Sequence, residues 1–79
     1  MTTNDDLQML GTVLDDALET EIIRIIYKDG KTDLFTRIEE KVKGEEPPIL
    51  SPNTVPAYNI KSEEWEIIML ERIDIAEAV

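Results

Sequence analysis

Glu21, Ile22, Ile23, Arg24, Ile25, Ile26 and Tyr27 form a β-branched run, and Asp29-Gly30 follows it almost at once. Branched side chains favour a pleated strand, and Asp-Gly is the residue pair that a tight hairpin turn with positive φ requires. The returning segment alternates, with Thr32, Leu34, Thr36 and Ile38 on one face and Asp33, Phe35, Arg37 and Glu39 on the other. That is the period of a half-exposed strand, so a β-hairpin is the fixed point around which the rest must fit. Arg24 shares a side with Ile22 and Ile26, either at a rim with its stem over apolar atoms or paired with an acid such as Glu66.

Before the hairpin, Leu7, Leu10, Leu14, Ala17 and Leu18 recur at helical spacing, with Met9 and Val13 widening the stripe. A helix over about residues 4–18 is expected, capped by Thr3 and with Asp5 and Asp6 at its positive end. Asp15, Asp16 and Glu19 fall near the negative end and cost a little stability there. Gly11 borders the stripe at a penalty of roughly 1 kcal/mol against Ala, which points to close packing or to nothing, the second being preferred.

After the hairpin, residues 41–53 contain Gly44, Pro47, Pro48 and Pro52, which suit neither a helix interior nor a central strand. A long loop is expected. A second strand pair follows, Thr54 to Ile60 and Trp65 to Arg72, about a polar turn at Lys61-Ser62-Glu63-Glu64. Ser62 before Glu63 and Glu64 also suits a helix start. On a helix, however, Trp65, Ile67, Ile68, Met69, Leu70 and Ile73 would be apolar on nearly every side, so a strand buried on both faces fits better. Trp65 is expected in the core, with exposure at an interface as the alternative. Ile73 to Val79 could be a last strand, a helical turn or a frayed end.

At 79 residues, one core is the limit, and 42% hydrophobic content is enough to build it. A single domain over 1–79 is expected, its β-rich part spanning about 21–73. With no cysteine, disulfides, thiolate catalysis and Cys-type zinc sites are excluded; with no histidine, acid–base work at neutral pH would fall to carboxylates, Lys or Tyr. Nothing nominates one, so the chain reads as not an enzyme, with no metal and no cofactor. No positively charged start precedes an apolar stretch, and no run nears the roughly 20 apolar residues of a membrane span; the expectation is a cytoplasmic protein with no membrane partner.

The net charge of −10 disfavours direct contact with nucleic acid and anionic lipid. Residues 1–23 carry acids and no base, residues 24–43 hold most of the bases, and residues 44–79 are again acidic. Adjacent acids such as Asp15-Asp16 and Glu63-Glu64 point apart on helix or strand, so they do not converge on a metal or substrate. A surface carrying Asp5, Asp15, Asp16, Glu19, Glu63 and Glu64 would instead suit an acidic mimic of nucleic acid, of the kind phages and mobile elements use as anti-CRISPR or anti-restriction inhibitors. The leucine stripe could also complete a homodimer by packing on a second copy.

Several segments in order, Ile25-Ile26-Tyr27, Asp29-Gly30, Thr36-Arg37-Ile38-Glu39, Pro48-Ile49-Leu50, Val55-Pro56-Ala57-Tyr58 and Leu70-Glu71-Arg72-Ile73, resemble the β-core of WYL domains over about residues 21–73. That resemblance implies an Sm-like or SH3-like barrel used for ligand sensing in transcription regulators, with Arg37, Tyr58 and Arg72 at polar, ligand-facing positions. Ala57-Tyr58-Asn59 stands where the Trp-Tyr-Leu signature would be, and there is no winged helix. DNA binding is therefore not carried over.

The expected fold is α+β: an N-terminal helix packed on a small bent antiparallel sheet of four or five strands, an SH3-like half-barrel being one form of it. The expected function is a non-enzymatic binding or regulatory module that recognises a protein or small ligand through the sheet face near Arg37, Tyr58 and Arg72. The acidic mimic is the alternative.

Overall fold

The computed structural model describes residues 4–49 and 51–79, with side chains from residue 6 onward apart from residue 50. Helix α1 runs Asn4–Thr20. Five strands follow: β1 Ile23–Tyr27, β2 Thr32–Thr36, β3 Thr54–Asn59, β4 Glu64–Met69 and β5 Ile73–Ala78. All neighbours are antiparallel in one sheet of order β4-β3-β2-β1-β5. The fold is thus α+β, a helix packed on a five-stranded open sheet. The cap expected at Thr3 lies outside the described residues, as does Leu50.

The apolar stripe of α1 lies against its own sheet. Leu14 and Leu18 are buried in one cluster with Ile23 and Ile25 of β1, Phe35 of β2, Val55 and Ala57 of β3 and Ile68 of β4. Register explains the choice of face: Ile23 pairs with Phe35, Phe35 with Asn59, and Val55 with Ile68, so these side chains stand on one side of the sheet. Leu7 and Leu10 are partly buried, whereas Met9 and Val13, expected to widen the stripe, are 69% and 61% exposed.

The hairpin turn differs in type from a two-residue Asp-Gly turn. Within this turn Gly30 alone has positive φ, at 90°. The Gly30 N–H donates to the Tyr27 carbonyl and the Tyr27 N–H to the Lys31 carbonyl, which makes a three-residue turn of Lys28, Asp29 and Gly30. Asp29 Oδ1 accepts the Lys31 N–H at 3.0 Å, so the aspartate serves as a hydrogen-bonding turn residue.

Other expectations need correction. Strand β2 stops at Thr36, and Glu39–Lys41 forms a short 3-10 turn in place of the strand end expected there. Strand β4 is not buried on both faces: it is a sheet edge, only Ile68 is fully buried, and Ile67 and Met69 are 40% and 39% exposed. A helix covers just one side of the sheet, so the apolar run of β4 cannot be enclosed on both. Arg24 does pair with an acid, but this is Glu77 of β5 at 2.9 Å and not the Glu66 named as an example, because β5 adds alongside β1. Residues 73–78 are that last strand, so the β-rich part continues beyond residue 73.

Pro56 sits in β3, which has neighbours on both sides, a place where proline is normally excluded. The β2–β3 pairing covers only Phe35 with Asn59 and Thr36 with Tyr58, so β2 has ended before it reaches Pro56. No N–H is needed there.

Gly11 does have a packing reason. A Cβ at this position would lie 3.0 Å from Leu70 Cδ1, and Leu70 is 3% exposed in a 3-10 turn, Leu70–Arg72, that joins β4 to β5. Gly11→Ala is therefore expected to lower stability by about 1 kcal/mol, the crowding of a packed side chain outweighing the helix-propensity gain of similar size. Urea unfolding followed by Trp65 fluorescence measures it; a stabilised variant would show that Leu70 yields freely.

Candidate functional site

The three side chains marked out by sequence do not share a cavity. Arg37 follows β2 and turns inward, its side chain only 7% exposed. Its Nη2 donates to the Asp15 carbonyl at 2.7 Å and its Nη1 to the Pro56 carbonyl at 3.3 Å. Asp15, Glu19 and Glu46 surround it as ion-pair partners. The Arg37 N–H also donates to the Leu18 carbonyl at 2.8 Å, and Thr36 Oγ1 reaches the Glu21 carbonyl at 3.1 Å. Arg37 thus supplies the cation that the end of α1 lacks in its own sequence, and it answers the acids that seemed misplaced there.

Tyr58 is 2% exposed, and its ring meets Trp65 edge-on with centroids 5.7 Å apart. Trp65 is half-buried; its Nε1 donates to the Lys43 carbonyl at 2.8 Å, so the proline-rich loop lies across this side of β3 and β4. Arg37 Nε and Tyr58 Oη are both buried with no hydrogen-bond partner among the described residues. Neither residue lines the cleft on which Arg72 stands.

Arg72 stands elsewhere, on a cleft of about 430 Å³ at the hairpin end of the sheet. One wall is Tyr27, Lys28, Asp29, Lys31 and Asp33, from the hairpin. The facing wall is Glu66, Ile67 and Met69 of β4, then Glu71 and Arg72 of the 3-10 turn. The walls are tied where the Lys28 N–H donates to the Arg72 carbonyl at 2.9 Å, beside a register shift between Ile26 and Tyr27 that lets Tyr27 pair with Ile73.

Glu66 is held in place from behind. Buried Asn59 donates from Nδ2 to Glu66 Oε2 at 2.8 Å, and Ser62 Oγ donates to the same oxygen at 3.2 Å. Asn59 is fixed in turn by the Lys61 and Ser62 N–H groups on its Oδ1. Burial pushes the Tyr27 hydroxyl up from 10.0 to about 12, with Asp33, Glu66 and Asp29 adding to the rise and Arg72 opposing it. A phenol in that state holds its proton near neutral pH and acts as a hydrogen-bond donor.

Tyr27 carries a prediction. The unfolded chain loses this proton at its ordinary value and the folded chain only at about 12, so the stability contribution is complete below about pH 10 and disappears as pH rises through about 12. Ultraviolet titration should show a late tyrosinate step near pH 12 that Tyr27→Phe removes; a step that survives this substitution would place the raised group elsewhere.

The acids of the alternative reading are surface groups. Asp15, Asp16 and Glu19 are exposed on α1, and Glu63 and Glu64 are exposed at the β3–β4 turn. Asp15 and Glu19 pair with Arg37, and Glu63 approaches Lys43 at 3.7 Å. Asp5 lies in α1, its side chain outside the described ones. Among the described residues no group of three or more acidic side chains is placed to hold a metal ion, and no helix is long and apolar enough to cross a membrane.

Sequence reasoning missed Tyr27, Asp33 and Glu66 as a group. One signal was present: the alternation put Asp33 on the same face as Phe35, a carboxylate on the side that buries the core. Compared with protein-family models, curated proteins and solved structures, the chain matches none.

Proposed function

We propose that this chain is a non-enzymatic binding module of regulatory type, acting in the cytoplasm, that recognises a small ligand or a segment of a protein partner in the cleft between the β1–β2 hairpin and β4. The observation that carries this reading is the cleft itself: about 430 Å³, walled by Tyr27 and Asp33 on one side and by Glu66 and Arg72 on the other. Its volume falls within the roughly 300–1,000 Å³ of small-molecule sites, and it combines apolar wall with a few convergent polar groups. A tyrosine locked in its protonated form suits recognition better than proton transfer. Ligand sensing is also what the WYL resemblance implies, with Arg72 as the shared residue. Arg37 and Tyr58 then support the sheet from inside.

A second reading, the acidic mimic, is favoured by α1, which exposes Asp15, Asp16 and Glu19 and contains no basic residue. Binding of that kind weakens steeply with salt.

Affinity capture from lysate, washed in steps of rising salt, separates the two. A partner kept through high salt by the native chain but lost by Tyr27→Ala/Arg72→Gln supports the cleft. One released by salt and lost by Asp16→Lys/Glu64→Lys supports the mimic. Capture indifferent to the cleft substitutions overturns the first reading.

A further inference from the structure

The cleft holds charges of both signs that do not meet. Lys28, Lys31, Asp33, Glu71 and Arg72 all line it, yet among the described residues none of these side chains makes an ion pair within 4.0 Å. The frame explains the separation. Arg72 is set on the 3-10 turn, whose carbonyl is bound by Lys28, while Glu66 is fixed by Asn59 and Ser62. Its carboxylate keeps further lone pairs for a donor.

A purely cationic ligand would have to lie beside Arg72, and a purely anionic one beside Asp33, Glu66 and Glu71. A molecule carrying both an ammonium and a carboxylate meets neither conflict, and gains a charge-assisted hydrogen bond at each end. An extended dipeptide spans about 7 Å, enough to bridge charges that stand too far apart to pair directly. Ile67 and Met69 of β4 also border the cleft.

Resting on the reading of this cleft as the binding site, we propose that its ligand is a zwitterion of dipeptide size. The ammonium lies against Asp33 and Glu66, and the carboxylate against Arg72. The Tyr27 hydroxyl donates to a ligand oxygen.

The test is a titration of the ¹⁵N-labelled chain with glycyl-leucine, N-acetyl-glycyl-leucine and glycyl-leucinamide, following amide shifts. Glycyl-leucine should move the resonances of residues 27–33 and 66–72, and blocking either end should weaken binding roughly tenfold or more, as expected for loss of a charged hydrogen bond. Asp33→Asn should abolish the preference for the free amine, and Arg72→Gln the preference for the free acid; both variants keep the exposed or half-exposed positions they replace. The proposal is overturned if either blocked form binds as well as the parent, or if no cleft resonance moves at about 10 mM ligand, a level at which even a mM-range site is mostly filled. In either case a protein partner lost by the cleft variant in the capture experiment would leave the cleft standing as a binding site for something other than a zwitterion.

Discussion

Phe35→Ala should remove a large share of the stability of the fold, about 3–5 kcal/mol. Phe35 is 0% exposed, in β2 between Ile23 of β1 and Asn59 of β3, within the cluster that includes Leu14 and Leu18. Removing a buried aromatic ring costs about 3–5 kcal/mol, transfer and cavity together. A domain of this size has a total stability of roughly 4–12 kcal/mol at typical per-residue values. The substitution therefore removes a large share of what holds the fold. Urea unfolding followed by Trp65 fluorescence is the measurement, and a loss below about 1 kcal/mol would show that α1 does not close over this face of the sheet.

Arg37→Ala should be the most damaging polar substitution, and the damage should register as stability before it registers as binding. Its carboxylate partners are 51–60% exposed, so each ion pair alone is worth little. The larger effect comes from the carbonyls of Asp15 and Pro56, which lose a charged donor, and from the end of α1, which loses its cation. A combined loss of about 2–3 kcal/mol is expected, lowering the melting temperature by roughly 10–20 °C in a domain this small. Arg24→Ala is the control: its pair with Glu77 is 43% and 47% exposed, and should matter by less than about 1 kcal/mol. Equal effects from the two arginines would contradict the structural role given to Arg37.

The elements were legible wherever a local period exists. The leucines of α1, the branched run before Gly30 and the strand pair about Lys61 to Glu64 each carry their own spacing, and each is found, although the strand expected from Trp65 to Arg72 stops at Met69 and gives way to the 3-10 turn Leu70–Arg72. What covers each face was not legible. The apolar run Ile67 to Leu70 looks fit for burial on both sides, but β4 is an edge, and edge position depends on where β5 goes. Gly11 looked like a bare propensity cost because Leu70, its reason, is far away in sequence. Arg37 looked like a ligand-facing side chain because nothing local shows that β2 ends beside the last carbonyls of α1. The cleft draws Tyr27, Asp33, Glu66 and Arg72 from separate elements, and no motif spacing links groups that only the tertiary fold brings together.

The strand order also dictates a sequence of events in time. The pairings β1–β2, β2–β3 and β3–β4 each join strands consecutive along the chain, whereas β1–β5 joins Ile23 to Ala78. Closing that longest span costs the most chain entropy and is rewarded only once β1 is already in place. Strand β5 should therefore dock late, so Ile73→Val should quicken unfolding while leaving the refolding rate nearly unchanged. The wall that carries Glu71 and Arg72 is continuous with this late strand, so the cleft is completed only in the last step of folding and is the first feature lost when the edge opens.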